Sequence, residues 1–321
     1  MLGHAGQVLA APVAGNISIH VTPTELRPAD AGIVSVSGTY PLQVQVKFDG
    51  QPLDVIWGGS AYYALFALPF DQPVGDYRVD VTVYDPATHQ ELQEDYTVTV
   101  IDFEFPLEQV ALPYSMINLL NKELNESENA RLAAIYAQTT HPAAWDWPFS
   151  HPVPIPVLTS RFGGDRVYNA GMWAQYHTGA DYRAGIGDPV LAPANGWVAA
   201  SDLFDIRGNV VIIDHGNGVF SQAAHLAERL VQAGDYVRRG QLIGMVGSTG
   251  RTNGPHLHFE IIVNGQPVDP IRWLSLAPGF VAPPEIRATR PPEAGDDISS
   301  GDGTLLPAEP PSEESPPASG D

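Results

Sequence analysis

Apolar and polar residues alternate through much of the first hundred positions. Ile17-Ser18-Ile19-His20-Val21, Leu42-Gln43-Val44-Gln45-Val46-Lys47-Phe48 and Tyr77-Arg78-Val79-Asp80-Val81-Thr82-Val83 each keep a period of two. On an extended chain that period puts one face inside and the other in solvent. Gly32-Ile33-Val34-Ser35-Val36 and Tyr96-Thr97-Val98-Thr99-Val100 repeat it, with turn residues between the runs. The spacing predicts about seven short strands.

Strands at that density over 16–103 predict an immunoglobulin-like β-sandwich. It carries no catalytic constellation; His20 and His89 are isolated and read as surface or turn residues. A spacer is its expected role, with adhesion or sugar binding as the alternative. Between Pro113 and Gln138 the period changes to three and four, through Met116, Leu119, Leu120, Leu124, Leu132, Ile135 and Tyr136, with Ser127-Glu128-Asn129 as the expected helix start. This predicts a short helical connector over 104–147 whose apolar stripe packs on a neighbour. From 148 to 277 the texture is β again, punctuated by glycine turns such as Gly185-Ile186-Gly187-Asp188 and Asp214-His215-Gly216-Asn217-Gly218. His215 reads as a structural turn residue, Asn169 as a turn residue, and His141 and His151 as surface residues. Residues 278–321 are rich in Pro, Glu, Asp, Ser and Gly, the composition of a disordered tail. Residues 1–15 read as a poorly structured N-terminus or the remnant of a weak signal peptide, with no Lys or Arg at the start. The chain as a whole is expected to be mostly β.

Composition narrows the function. The formal net charge is −21, and only Lys47 and Lys122 are lysines among 16 Lys and Arg, so nucleic acid and anionic membranes are poor partners. There is no run of 18 apolar residues to span a bilayer. With no cysteine, any transition metal must be held by His and carboxylates.

The chemistry gathers in three pieces: His177 and Asp181 in Tyr176-His177-Thr178-Gly179-Ala180-Asp181, His225 in Ala223-Ala224-His225-Leu226, and Gly254-Pro255-His256-Leu257-His258-Phe259-Glu260. The last lies in an apolar, β-branched run, so His256, His258 and Glu260 should share one strand face. A hydrolytic zinc site needs three protein ligands and one open position, and Zn²⁺ accepts imidazole nitrogen and carboxylate oxygen.

These segments, with Gly234-Asp235-Tyr236-Val237 running to Gly247-Ser248-Thr249-Gly250, resemble the M23 (LytM or lysostaphin-type) zinc metallopeptidases over roughly 148–274. The resemblance implies a β-rich, barrel-sandwich-like peptidase domain. It further implies one Zn²⁺ held by His177, Asp181 and His258, with His225 and His256 as catalytic groups free of the metal. Glu260 would orient a ligand from behind. The implied reaction is hydrolysis of peptide stems or cross-bridges of bacterial peptidoglycan by zinc-bound water, in a secreted or cell-envelope protein. Many members carry Tyr two residues before the middle histidine; here that position is Ala223, which would remove a substrate contact. Two other readings compete. The Gly234–Gly244 stretch resembles biotinyl and lipoyl carrier domains, but no lysine follows Lys122 to bear the cofactor. A non-hydrolytic member that regulates another wall hydrolase would have lost metal ligands, and all are present.

Overall fold

The computed structural model describes residues 17–39, 41–138, 142–145 and 147–276. The expectations for 1–15, His141 and 278–321 fall outside these residues. Two sheets are built from residues 18–100. One orders Ser18–Thr22, Ala31–Ser37, Tyr62–Ala67 and Val55–Trp57; the other orders Glu25–Leu26, Gln90–Val100, Gly75–Asp85, Gln43–Phe48 and Gln51–Leu53. Nine strands stand where about seven were predicted, because runs of two or three residues are too short to show alternation. Val34, Phe66, Val81 and Val98 point between the sheets and form the sandwich core.

The centre of the first of these sheets is covered on both faces. Ile33, Tyr63 and Leu65, which alternate with Val34, Ala64 and Phe66, join Trp145, Trp147, Phe149 and Trp273 in the core of the following domain. Asn264 Nδ2 donates to the carbonyl of Leu65 at 3.0 Å, and Arg272 Nε pairs with Asp30 Oδ1 at 2.7 Å across the same seam. Sandwich and C-terminal domain are therefore joined through continuous apolar packing.

Between them the chain makes a strand, Leu107–Val110, parallel to Asp165–Tyr168, then a 3₁₀ turn at Tyr114–Leu119 and a helix at Lys122–Tyr136. The helix starts earlier than expected. Asn121 is its cap, its side chain accepting the Leu124 N–H at 2.9 Å, while Ser127 lies inside the helix. Leu132 packs on Phe204, Phe220 and Ile262, so the helix covers part of the outer face of the C-terminal sheet. It is not long and apolar enough to cross a membrane, nor is any other helix among the described residues.

That sheet runs Leu158–Ser160, Ala180–Tyr182, Leu257–Val263, Val219–Arg229, Gly208–Gly216, Gly196–Phe204 and Tyr236–Val237. Along Leu257–Val263, the residues Leu257, Phe259, Ile261 and Val263 fill the inner core, leaving His258 and Glu260 on the opposite face.

His215 is buried, as a structural residue should be. Its Nδ1 donates to the Asn195 carbonyl at 2.8 Å, its Nε2 accepts from Ser221 Oγ at 2.8 Å, and Phe149 meets its ring edge-on. Burial lowers its pKa from 6.5 to about 4, against the opposing effect of the Asn195 hydrogen bond. Folded His215 thus stays neutral where the unfolded residue takes a proton. Its contribution is fully present above pH 6.5 and is lost as pH falls through about 4. Over that window the loss amounts to about 3 kcal/mol. Urea unfolding at pH 7 and pH 4.5 should show it, and His215→Gln should flatten the difference.

Candidate metal centre

Strand register brings the first cluster together. Asp181 lies directly opposite His258 in the antiparallel pair Ala180–Tyr182 and Leu257–Val263. His177 sits just past the Trp173–Tyr176 strand, where its N–H donates to the Gly164 carbonyl and its carbonyl accepts the Gly163 N–H, both at 2.8 Å. His177 Nε2 is 3.0 Å from Asp181 Oδ1 and 3.0 Å from His258 Nδ1, and His258 Nδ1 is 2.8 Å from Asp181 Oδ1. All three residues are buried.

The partners behind them fix the tautomers. His177 Nδ1 is 2.7 Å from the Arg161 carbonyl, which can only accept, so the proton sits there and Nε2 offers a lone pair. His258 Nε2 is 2.8 Å from Glu260 Oε1, so that nitrogen donates and Nδ1 offers its lone pair. Asp181 Oδ2 takes the Arg166 guanidinium at 2.5 Å, which leaves Oδ1 facing the two rings. The three ligand atoms lie 2.8–3.0 Å from one another, close enough to share one cation. Two imidazole nitrogens and one carboxylate oxygen fit Zn²⁺ with a position left open.

Burial works against the charged form of His258, but the hydrogen bonds and charges of Asp181 and Glu260 outweigh it and raise its pKa. Burial alone would raise Asp181, yet His177 and His258 hold its carboxyl well below the usual carboxylate range. Glu260, for which burial likewise pulls upward, is held at about 2 by Arg207 and by hydrogen bonds from His258 and Thr178. Burial lowers His177, with Asp181 opposing.

His225 and His256 flank this cluster without joining it. Their ring centroids lie 5.0 Å apart, and His225 is 5.8 Å from His258. His225 Nδ1 donates to the Thr249 carbonyl at 2.8 Å and His256 Nδ1 to the Gly254 carbonyl at 2.9 Å. Each Nε2 is therefore an acceptor, and His256 Nε2 is 3.7 Å from Asp181 Oδ1. Burial lowers both pKa values, His225 well below 6.5, so both rings are neutral bases. His225 holds a left-handed backbone, φ 62°, on a bulged strand, a conformation that a non-glycine residue keeps at a cost. The cluster opens on a cleft of about 600 Å³ lined by Asp181, His225 and His256, and on a second of about 360 Å³ lined by His177, His225 and His258.

Several supporting residues carry no periodic signal. Arg166 joins Asp181 to Glu108 Oε2 at 3.0 Å, and Glu108 comes from the connector strand. Arg207 joins Glu260 to the helix residue Glu128. Phe70, from the sandwich, stacks on Tyr176 at 4.7 Å beside the second cavity. Asn169 is a turn residue, φ 45°, and its Oδ1 accepts the Leu112 N–H. One expectation is corrected. Ala223 faces the inner core, so its side-chain position is not a cleft position and a missing phenol opens nothing there.

Residues 175–270 match the model of peptidase family M23. Over 114 residues the chain is 40% identical to the peptidoglycan DD-endopeptidase ShyC of Vibrio cholerae, covering 36% of this chain and 26% of that one. Over 120 residues it is 50% identical to the DD-carboxypeptidase/endopeptidase Mpg of Neisseria meningitidis, covering 37% and 27%. The chain thus spans about a quarter of the length of these curated relatives. A crystal structure of a putative M23 peptidase from Pseudomonas aeruginosa superposes with a TM-score of 0.54 at 25% identity, over 79% of this chain and 94% of the other. The motifs, the register and the matched span agree: residues 175–270 form a domain that matches peptidase family M23.

Proposed function

We propose that the protein is a zinc-dependent endopeptidase that cuts peptide stems or cross-bridges of bacterial peptidoglycan outside the cytoplasm. The observation that carries this is the convergence of the three lone pairs on His177, Asp181 and His258 beside two neutral histidines whose Nε2 atoms are free to accept. Zn²⁺ held by the first three residues supplies a Lewis acid that polarises a peptide carbonyl and makes water a nucleophile near neutral pH. The chain's own groups do the rest. His225 and His256, with Nδ1 tied to backbone carbonyls, take the proton of the attacking water at Nε2 and return one to the leaving amine, or donate to the developing oxyanion. Glu260 and the Arg161 carbonyl keep the ligand rings oriented, and Arg166 keeps Asp181 from swinging. In this reading the sandwich is an immunoglobulin-like module fused to the enzyme, and relatives named as peptidoglycan endopeptidases support the substrate.

Metal analysis of the purified protein should find about one zinc per chain, as a three-ligand site with one open position requires. His177→Ala should lose both zinc and the clearing of peptidoglycan suspensions. A wild type without metal, or an alanine variant as active as wild type, refutes the reading.

A further inference from the structure

The chain is acidic, yet its cleft is not. Three arginines, Arg166, Arg183 and Arg251, line the larger cavity against two carboxylates, Glu108 and Asp181. In the smaller cavity Arg166, Arg207 and Arg251 stand against Glu260 alone. Two of these arginines are neutralised on the spot: Arg166 by Glu108 and Asp181, Arg207 by Glu128 and Glu260.

Arg251 is different. It is 8% exposed, and the carboxylate that supports its charge is Glu128, at longer range and already paired with Arg207. Its Nη1 donates to Asn125 Oδ1 at 3.1 Å and to the Leu119 carbonyl at 3.4 Å, and its guanidinium lies 4.9 Å from the centre of the Tyr168 ring. Both hydrogen bonds use Nη1, so Nε and Nη2 have no acceptor among the described residues. Burial works against its charge, as do the nearby Arg207 and Arg166, while Tyr168 and the more distant Glu128 oppose them, so the charge is only partly compensated within the protein. Such a group is a receptor for a planar anion, which the guanidinium fork binds through two parallel hydrogen bonds. Arg251 lines both cavities together with His225, whose ring meets those of His256 and His258, so an anion bound there sits near the reacting bond.

We propose that Arg251 binds a carboxylate of the substrate, and that the peptides this protein cuts carry a free carboxylate close to the scissile bond. The inference rests on the peptidase reading of the same site. It gives the acidic chain a local means of accepting an acidic peptide that its overall charge would repel.

The test compares a cross-linked muropeptide dimer bearing a free carboxylate next to the scissile amide with the same dimer amidated at that carboxylate, using the zinc-loaded full chain. Wild type should favour the acid in kcat/KM. Arg251→Gln should raise KM for the acid by at least about 30-fold, the effect of removing one partner of a buried charge pair. It should leave the amide's KM unchanged, with zinc content intact. Arg251→Lys, which keeps the charge and loses the fork, should retain part of the preference, and it carries the test if the glutamine variant does not fold. Equal handling of acid and amide by wild type, or an acid preference that survives in both variants, overturns the proposal. Binding of the two dimers, measured by calorimetry, separates this site from the peptidase reading. If neither dimer is cut but the acid binds more tightly, the peptidase reading fails and the carboxylate site stands; equal binding sinks the site.

Discussion

His256→Ala should leave zinc in place and abolish turnover, whereas His258→Ala should lose the metal itself. The two residues are two positions apart, share one parity and look equivalent in the sequence. Their surroundings differ. His258 turns Nδ1 toward His177 and Asp181 and braces Nε2 on Glu260, whereas His256 ties Nδ1 to the Gly254 carbonyl and keeps Nε2 3.7 Å from Asp181 Oδ1. Removing His256 deletes a proton carrier or oxyanion donor, and kcat should fall by about 10³-fold, within the range for a positioned acid–base group. Removing His258 deletes one of three ligands, so zinc affinity should fall by more than the roughly 10- to 100-fold typical of outer partners. Metal analysis after dialysis and single-substrate kinetics on both variants decide the matter; equal zinc loss in the two would show that the division of labour is wrong.

How much of this was legible before any coordinates depends on which residues carry a period. The strands were readable at Leu42–Phe48 and Tyr77–Val83 because each has one wet face. They were not readable as a two-sided layer at Ala31–Ser37, where Ile33 and Val34 serve different cores. A short apolar run looks the same in either case. The triad was readable because His258 lies in the Leu257–Val263 strand and its partners stand in motifs of their own, whereas His256, expected on the same strand, precedes it and makes only an isolated bridge to Gly247. The residues that hold the triad were not. Arg166 comes from a hairpin, Glu108 from a connector strand, and Glu128 from a helix whose true cap, Asn121, lies six residues before Ser127. Only strand register and helix docking bring them to the site, and neither has a local signature.

Gly179 shows the same limit from the other side, and its replacement should be among the most damaging changes of a single atom in this chain. Between His177 and Asp181 a glycine reads as a point of backbone freedom. Its φ is not in the left-handed region, however, and freedom is not what the position needs. A Cβ at 179 would stand 2.5 Å from the Phe259 carbonyl oxygen, 2.8 Å from His258 Cε1 and 3.0 Å from Glu260 Cγ. The first contact is with the backbone of the central strand, which is paired on both sides and cannot retreat. The other two are with a ligand ring and with the carboxylate that orients it. Gly179→Ala must therefore part the Ala180–Tyr182 and Leu257–Val263 strands or push His258 off its line to Asp181. A displacement of about 1 Å at a reacting centre costs about 100-fold in rate. Activity should drop by at least that much and zinc should bind more weakly, while the sandwich core around Val34, Phe66 and Val98 stays intact. Metal titration with near-ultraviolet circular dichroism checks both halves; a Gly179→Ala protein with wild-type zinc affinity would mean that the strands yield more easily than their pairing implies.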